Sequence, residues 1–426
     1  MNTIFALASG RGKAGIAVVR ISGDQAFDAA RQIAGELPPI GGRGLRVLRD
    51  SRGDVLDEAL VLVFSAEHSF TGEDVVELHL HGSIAIVSAV QSFLAAMNGL
   101  RMAEPGEFSR RALENERLDL VRIEGLSDMI EAETEAQRKQ ALRVFSGALG
   151  NKVANWRKNL IRAAALIEAT IDFVDEDVPV DVLPEVSELL GRVLTELRSE
   201  SIGAGIAERV RDGFEVAIIG PPNAGKSTLL NYLAGRDAAI TSEIAGTTRD
   251  VIEVRMDLNG IPVTLLDTAG LREGKDQIEV IGIERSLQRA NNADIRIFLG
   301  DDDLGVVQQD EDLVRSPKAD LTGRTENAVS GTTGFGANDL LADLQSRLES
   351  RVALVGSAIK DRHRVAIKRA IAGIERGLEE FALGEDRADL AAEELRDAIN
   401  ALDTLVGRVD VEHILDDIFA NFCIGK

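Results

Sequence analysis

The sequence predicts a multidomain chain, α/β plus all-α. It has a mixed N-terminal domain, a helical central domain and a phosphate-loop domain inserted into the helical one. Three observations predict this. Phe214–Thr228 reads FEVAIIGPPNAGKST, a short apolar strand that breaks at a glycine–proline loop and resumes as a helix. Helical texture rich in Ala, Leu, Glu and Arg lies on both sides of it, before Asp212 and after Arg351. Ahead of Leu118 the texture is different, with short β-branched runs separated by turns. At 426 residues the chain is too long for one ordinary core. The boundaries that follow are 1–117, 118–212, 213–350 and 351–426, the second and fourth segments forming one helical domain.

In the first segment, Ile16 to Ile21 reads as a strand ending at Ser22-Gly23, Asp24 to Gly35 as a helix, and Ala59 to Phe64 as a strand. Val75 to Gly82 reads as a strand that turns at its glycine, and Ile84 to Met97 as a helix. Glu77 falls inside that last strand, where a carboxylate is commonly solvent-facing. The helical domain is read as Ile123 to Leu149, Val153 to Ile171 and Val186 to Asp212, with Pro179 and Pro184 ahead of the third stretch. It resumes with His363 to Leu383 and Asp386 to Val406, both amphipathic and free of proline.

The chemistry concentrates in the insert. Gly220-x4-Gly225-Lys226-Ser227 is phosphate-loop spacing. Glycines let backbone N–H groups close around phosphates, Lys226 reaches the outer phosphates, and the Ser227 hydroxyl ligates Mg2+. Val263 to Leu266 is a second strand, followed by Asp267-Thr268-Ala269-Gly270. Asp267 would hold Mg2+ through water, and the Gly270 amide would meet a γ-phosphate. Between them Gly246-Thr247-Thr248-Arg249-Asp250 offers a threonine hydroxyl that joins Mg2+ only while the γ-phosphate is present. For the base, Pro317-Lys318-Ala319-Asp320 keeps the Lys and Asp of a guanine reader but lacks its Asn. Ser330-Gly331-Thr332 could supply the loop that meets the guanine oxygen. The strand ahead, Leu313-Val314, is thin and follows an acidic run from Asp301 to Asp312, so this part reads as shortened. Lys318-x-Asp320 favours GTP over ATP.

GPPNAGKST, IAGTTRD, DTAGLRE and IGIERS together resemble the G domain of the MnmE (TrmE) tRNA-modification GTPases. GIAVVRISG, SFTGEDVVELHLHG, EPGEFSRRA and the terminal Phe422-Cys423-Ile424-Gly425-Lys426 resemble the rest of that family, over nearly the whole chain. The resemblance implies an N-terminal α+β folate-binding and dimerisation domain, a helical central domain and an inserted P-loop GTPase domain of Ras-like type. It implies a homodimer that joins an FAD-dependent MnmG-type partner in a heterotetramer. That complex adds an aminomethyl or carboxymethylaminomethyl group to C5 of the wobble uridine in certain tRNAs. A 5-formyl- or 5,10-methylene-tetrahydrofolate supplies the carbon.

The resemblance also assigns residues. GTP is implied at Asn223, Ala224, Gly225, Lys226, Ser227 and Thr228, at Ser242, Glu243, Ile244, Ala245, Gly246, Thr247 and Thr248, at Asp267, Thr268, Ala269 and Gly270, and at Lys318, Asp320 and Ser330. Mg2+ is implied at Ser227 and Thr248. K+ is implied at Asn223, Ser242, Ile244 and Thr247, where a cation between phosphates offsets transition-state charge as an arginine finger does. Leu271 stands where some GTPases carry a water-orienting Gln and cannot do that work, so the resemblance gives the catalytic role to Glu279. Folate is implied at Arg20, Glu77, Arg117 and Lys426. Glu77 suits the paired donors of an amino-pyrimidine edge. At position 117 the family often has Lys, so Arg117 keeps the charge and changes its geometry. Cys423 is implied in the modification chemistry, although nothing in the sequence lowers its pKa.

Bulk composition narrows the alternatives. The 71 acidic against 48 basic residues give a formal charge of -23, which disfavours a surface that coats nucleic acid. The single cysteine excludes an internal disulfide and a multi-Cys metal site. The start has no basic region followed by a sustained apolar core, and no apolar run approaches the roughly 20 residues of a membrane span, so a cytoplasmic protein is expected. A regulatory GTPase of ribosome assembly would share GTTRD and DTAG but would carry a basic RNA-binding module. A nucleotide-binding scaffold with degenerate hydrolysis is the third reading, kept open by the altered base motif.

Overall fold

The computed structural model describes residues 2–172, 182–235, 253–267, 287–300, 305–358, 360–384 and 387–409, with 415, 419, 422 and 425 of the terminal segment. The chain divides into two units: Met1–Ser127 with Val406–Lys426, and Asp128–Leu405.

The first unit is built on a six-stranded sheet. Its strands are β1 (Thr3–Leu7), β2 (Ile16–Ser22), β3 (Arg43–Arg49), β4 (Val55–Phe64), β5 (Val75–His81) and β6 (Leu100–Met102), in the order β3-β4-β5-β2-β1-β6. All neighbours are antiparallel except β1 and β6. Period-2 alternation decides the faces. Phe5, Val19, Ile21, Val61, Val76 and Leu78 point to one side, where helices α1 (Ala26–Ala34) and α2 (Ile84–Ala95) bury them with Ala30, Ile33, Val90 and Leu94. On the other side Ile4 and Ala6 pack with Ala103 and Phe108, the latter from helix α3 (Glu107–Glu114). β4 starts four residues earlier than read from the sequence. β1 and β3 were not anticipated, and β3 has a reason. It is an edge strand, alternating Arg43, Leu45 and Val47 outward, so its pattern carries charge where a half-buried strand would be apolar.

The second unit holds helices and a second sheet. Helix α4 (Leu120–Glu131) crosses the unit boundary, and α5 (Glu135–Phe145) and α6 (Ala148–Asp172) follow it. The expected single stretch from Ile123 to Leu149 is therefore broken. Thr134 takes extended geometry and caps α5, its side chain accepting from the Gln137 amide while the Gln137 side chain accepts from the Thr134 amide. Gly147, at φ 88, breaks the next junction. Helix α7 (Leu183–Asp212) opens with Pro184 in its first turn, as a proline should. Its buried Leu190, Val193 and Leu197 form the helical core, and Glu196 accepts from Trp156 Nε1 of α6 at 2.7 Å.

At Gly213, φ 98, the helix turns directly into strand β7 (Phe214–Ile219). The sheet it enters adds β8 (Glu253–Leu258), β9 (Ile261–Asp267), β10 (Ile295–Leu299), β11 (Leu313–Pro317) and β12 (Ala328–Val329), ordered β12-β11-β10-β7-β9-β8. All pairs are parallel except the hairpin β8–β9, whose Asn259-Gly260 turn has both φ values positive, 49 and 88. The Gly260 carbonyl accepts the Ala136 amide at 2.9 Å, so the hairpin tip docks on the first turn of α5. Helices α8 (Lys226–Ala234) and α9 (Ala337–Val352) flank this sheet, and α10 (Asp361–Ala382) and α11 (Ala388–Val406) return to the helical part. β11 is a full strand of five residues and not the thin one expected. Its polar Arg315 hides the pattern, because that side chain is buried and pairs with Asp343 of α9. The acidic run before it ends in a buried partner too. Asp312 takes both the side chain and the amide of Arg296 on β10, the side-chain contacts at 2.8 and 2.9 Å.

Candidate functional site: a phosphate loop and an Arg–Glu cluster

β7 lies between β10 and β9, where the strand order runs away in both directions, and such a point opens a crevice at the carboxyl ends of the strands. The loop after β7 fills it. Asn223 and Gly225 take left-handed geometry, φ 62 and 97, which curls the backbone before α8 begins at Lys226. Gly220 is required by a close approach: a Cβ there would stand 2.7 Å from the Leu299 carbonyl oxygen. Lys226 is buried, and its Nζ donates to the carbonyls of Gly220 at 2.7 Å and Pro221 at 3.2 Å. The amine is thus held inside the loop. Ser227 and Thr228 sit in the first turn of α8. Pairing of Ile218 with Asp267 brings the buried Asp267 to the same edge of the sheet.

The base residues converge on this loop. β11 ends at Pro317, Lys318 turns with φ 55, and Asp320 lies in the single turn Ala319–Thr322. A pocket of about 100 Å³ is lined by Ala224, Gly225 and Thr228 from the loop and α8, by Lys318, Asp320 and Leu321, and by Ser330, Gly331 and Thr332. Gly331 closes it against α8, since a Cβ there would lie 2.4 Å from the Leu229 amide nitrogen. Pro317 occupies the Asn position and has no donor to offer. Ser242, Glu243, Ile244, Ala245, Gly246, Thr247, Thr248, Thr268, Ala269, Gly270 and Glu279 lie outside the described residues. Among the described residues, no group of three or more His, Cys, Asp or Glu side chains converges as a metal site.

In the first unit, register joins two predicted residues. Arg20 on β2 faces Glu77 on β5, and Arg20 Nε and Nη2 both lie 2.9 Å from Glu77 Oε1. His79 Nε2 stands 3.3 Å from Glu77 Oε2. The Arg20 guanidinium also lies over the rings of Phe70, at 5.7 Å, and Phe108, at 5.5 Å. Glu77 is partly exposed, but its carboxylate is engaged from both ends. Arg117 is not part of this cluster. It is exposed and donates to the Glu67 carbonyl at 2.9 Å, beside Gly72. Lys426 and Cys423 lie outside the described residues.

Behind the cluster is a buried network that residue-by-residue reading missed. Arg111 Nη1 donates to both oxygens of Glu73, at 3.0 and 2.9 Å, and its Nη2 donates to Glu107 at 3.0 Å and the Asn2 carbonyl at 2.8 Å. Ser22 lies 2.7 Å from both Thr71 and Glu73. The network fixes the Ser69–Asp74 loop and hence Phe70. For Glu107 the largest effect, burial, raises its pKa. Hydrogen bonds from Arg101, the Glu104 amide and Arg111 outweigh that, so the carboxyl titrates below its usual range. The sequence signal was present in SFTGED and EPGEFSRRA, as motifs without assigned roles.

Two family models cover the chain almost end to end. The MnmE helical domain matches residues 120–423 and the GTP-binding protein TrmE N-terminus matches residues 3–117. The chain belongs to the MnmE family. It is 58% identical over 428 residues to the tRNA modification GTPase MnmE of Roseobacter denitrificans, and 59% identical over 429 residues to that of Cereibacter sphaeroides, each alignment covering both proteins fully. Among solved structures, Era of Aquifex aeolicus bound to GDP·AlF4− is 28% identical and covers 32% of this chain and 56% of its own. Its TM-score is 0.24, and no argument is drawn from it.

Proposed function

We propose that this member of the MnmE family is a tRNA modification GTPase, hydrolysing GTP in the course of modifying tRNA. One observation carries the reading. The phosphate loop, Lys318-x-Asp320 and Ser330 line a single pocket, in a chain that aligns over its full length with proteins named for that activity. Lys226 and the loop amides hold the phosphates, and Asp320 accepts the donors of the guanine edge. Ser227 at the start of α8 and Asp267 at the end of β9 present a hydroxyl and a carboxylate at one edge of the sheet, a donor set that fits Mg2+. Bound Mg2+ would offset charge on the phosphates.

The finer reading follows the motifs. Asn223 and the 242–247 segment hold K+, Thr248 completes the Mg2+ shell, and Glu279 orients the attacking water. Arg20 and Glu77 fit a tetrahydrofolate, since the carboxylate can accept paired donors while the guanidinium keeps it ionised. Arg117 and Lys426 extend that site toward the ligand's oxygens. The protein works in the cytoplasm as a homodimer with an FAD-dependent MnmG-type partner, on the wobble uridine. No helix among the described residues is long and apolar enough to cross a membrane.

Mass spectrometry of tRNA nucleosides from a deletion strain tests the function. Loss of C5-modified uridine is expected, and an unchanged profile would sink the reading. For the GTPase step, hydrolysis should be faster in K+ than in Na+, and Glu279→Ala should lose that hydrolysis while still binding nucleotide.

A further inference from the structure

The end of the chain carries two buried aromatic rings, Phe419 and Phe422, exposed by 1% and 8%. Phe419 is seated on Gly106, the residue that opens α3. A Cβ at position 106 would lie 2.7 Å from Phe419 Cδ1 and 3.0 Å from its Cβ, and Gly106 has φ 69, so no other residue suits that seat. One turn on, the Arg110 guanidinium covers the same ring at 5.2 Å from its centre. Phe422 folds back on this pair, its amide donating to the Phe419 carbonyl at 3.0 Å with the two rings 5.6 Å apart.

The same short helix touches the Arg20 cluster. Gly106 and Arg110 are four residues apart and share a face, while Phe108 between them turns to Arg20. Arg111 ties the helix to Glu73 and the Ser69–Asp74 loop. At the far end of the tail, a Cβ on Gly425 would fall 2.1 Å from the Leu7 carbonyl oxygen, so only glycine fits against β1, whose Ala6 pairs with Arg20. Both ends of the described tail are therefore pinned to elements that pair with or touch Arg20. In sequence, Cys423 follows Phe422 and Lys426 follows Gly425.

We propose that Phe419, clamped between Gly106 and Arg110, is the positioning residue that holds the terminal Cys-Ile-Gly-Lys at the Arg20–Glu77 site. The proposal rests on the folate reading of that site. A ring that served only as core would affect stability and leave the terminal residues' chemistry alone. The clamp also explains why α3 needs glycine at its first position, where a capping side chain would otherwise be favoured.

Cys423 is the only cysteine, so thiol labelling reports on the tail without further engineering. The experiment uses the full-length protein and measures labelling rate by a maleimide, with and without 5-formyltetrahydrofolate. Wild type should label slowly, and more slowly with ligand. Phe419→Ala should speed labelling by on the order of tenfold or more, given what a buried ring contributes, and weaken ligand binding in parallel while GTP hydrolysis is unchanged. Gly106→Ala should act in the same direction, and Phe419→Leu should recover most of the protection. Unchanged labelling and ligand affinity in Phe419→Ala would overturn the proposal. So would labelling that rises only together with loss of GTP hydrolysis across all three variants, which reports global unfolding. If wild type does not bind the ligand at all, the folate reading falls, and the ligand-free labelling rates still decide whether Phe419 holds the tail.

Discussion

The phosphate loop and the Arg20–Glu77 cluster face a common task, holding a charged ligand, and are built in opposite ways. The loop works with backbone. It occupies seven consecutive positions at the end of one strand, and its special residues are there for conformation: Gly220 for a close approach, Asn223 and Gly225 for left-handed turns. The cluster works with side chains from distant parts of the chain. Arg20 and Glu77 meet across two strands, Phe70 and Phe108 come from a loop and a helix, and Arg111 braces them from behind. A backbone site tolerates sequence change between its fixed points, whereas a side-chain site depends on every partner.

The largest test of that contrast is reciprocal. Lys226→Ala removes the amine held inside the loop and should lower GTP hydrolysis by at least about a hundredfold, on the scale of losing one main electrostatic group at a phosphoryl site. Folate affinity should stay as in wild type. Glu77→Ala should do the reverse. It leaves the guanidinium of Arg20 without its carboxylate in a mostly buried position, so ligand affinity should fall by roughly 2–3 kcal/mol with GTP hydrolysis intact. Steady-state hydrolysis and equilibrium binding on both variants measure this. If either change depresses both activities equally, the two sites are not separable in this way.

A smaller effect is expected where the loop site departs from the common pattern. Pro317 ends β11 beside a pocket that already has Lys318, Asp320 and Ser330 in place. Pro317→Asn should restore a donor there and tighten GDP by several fold, about the worth of one hydrogen bond, without altering the K+ dependence of hydrolysis. Titration with a fluorescent GDP analogue reads it. No tightening would mean that Gly331, pressed on α8, already supplies the closure that the Asn gives elsewhere.

The contrast also explains what could be read in advance. The phosphate loop, Asp267 and Lys318-x-Asp320 were legible because each is a short run whose spacing has a mechanism, and the structure brings those described residues to one edge. The helices were legible by period, although Thr134 interrupts a stretch that looks continuous, since one capping threonine weighs little against many apolar matches. Arg20 and Glu77 were found only through family resemblance. Fifty-seven positions separate them, and only the β2–β5 register joins them. Arg111, Glu73 and Phe108 stayed unseen for a related reason. A buried ion pair looks in sequence like two surface charges, as it does again for Arg296 and Asp312.

The smallest predicted effect concerns the brace behind the side-chain site, and its sign follows from Glu107. That carboxyl titrates below its ordinary value of 4.5 in the folded protein. Its contribution is therefore fully present above the unfolded value and is lost as pH falls through the lowered one. Stability of the first unit should thus decline as pH drops below about 4.5, and Glu107→Gln should flatten that decline while costing stability at neutral pH. Arg111 and Glu73 remain paired in that variant, so the change should be about 1 kcal/mol, a fraction of what Arg111→Met would cost by leaving Glu73 without its partner. Denaturant unfolding at pH 7 and pH 4, followed by tryptophan-independent far-UV signal because the sole Trp lies in the other unit, gives both numbers. A Glu107→Gln protein with the wild-type pH slope would show that the brace is held by Glu73 and Arg111 alone. The side-chain site would then rest on fewer partners than its geometry suggests.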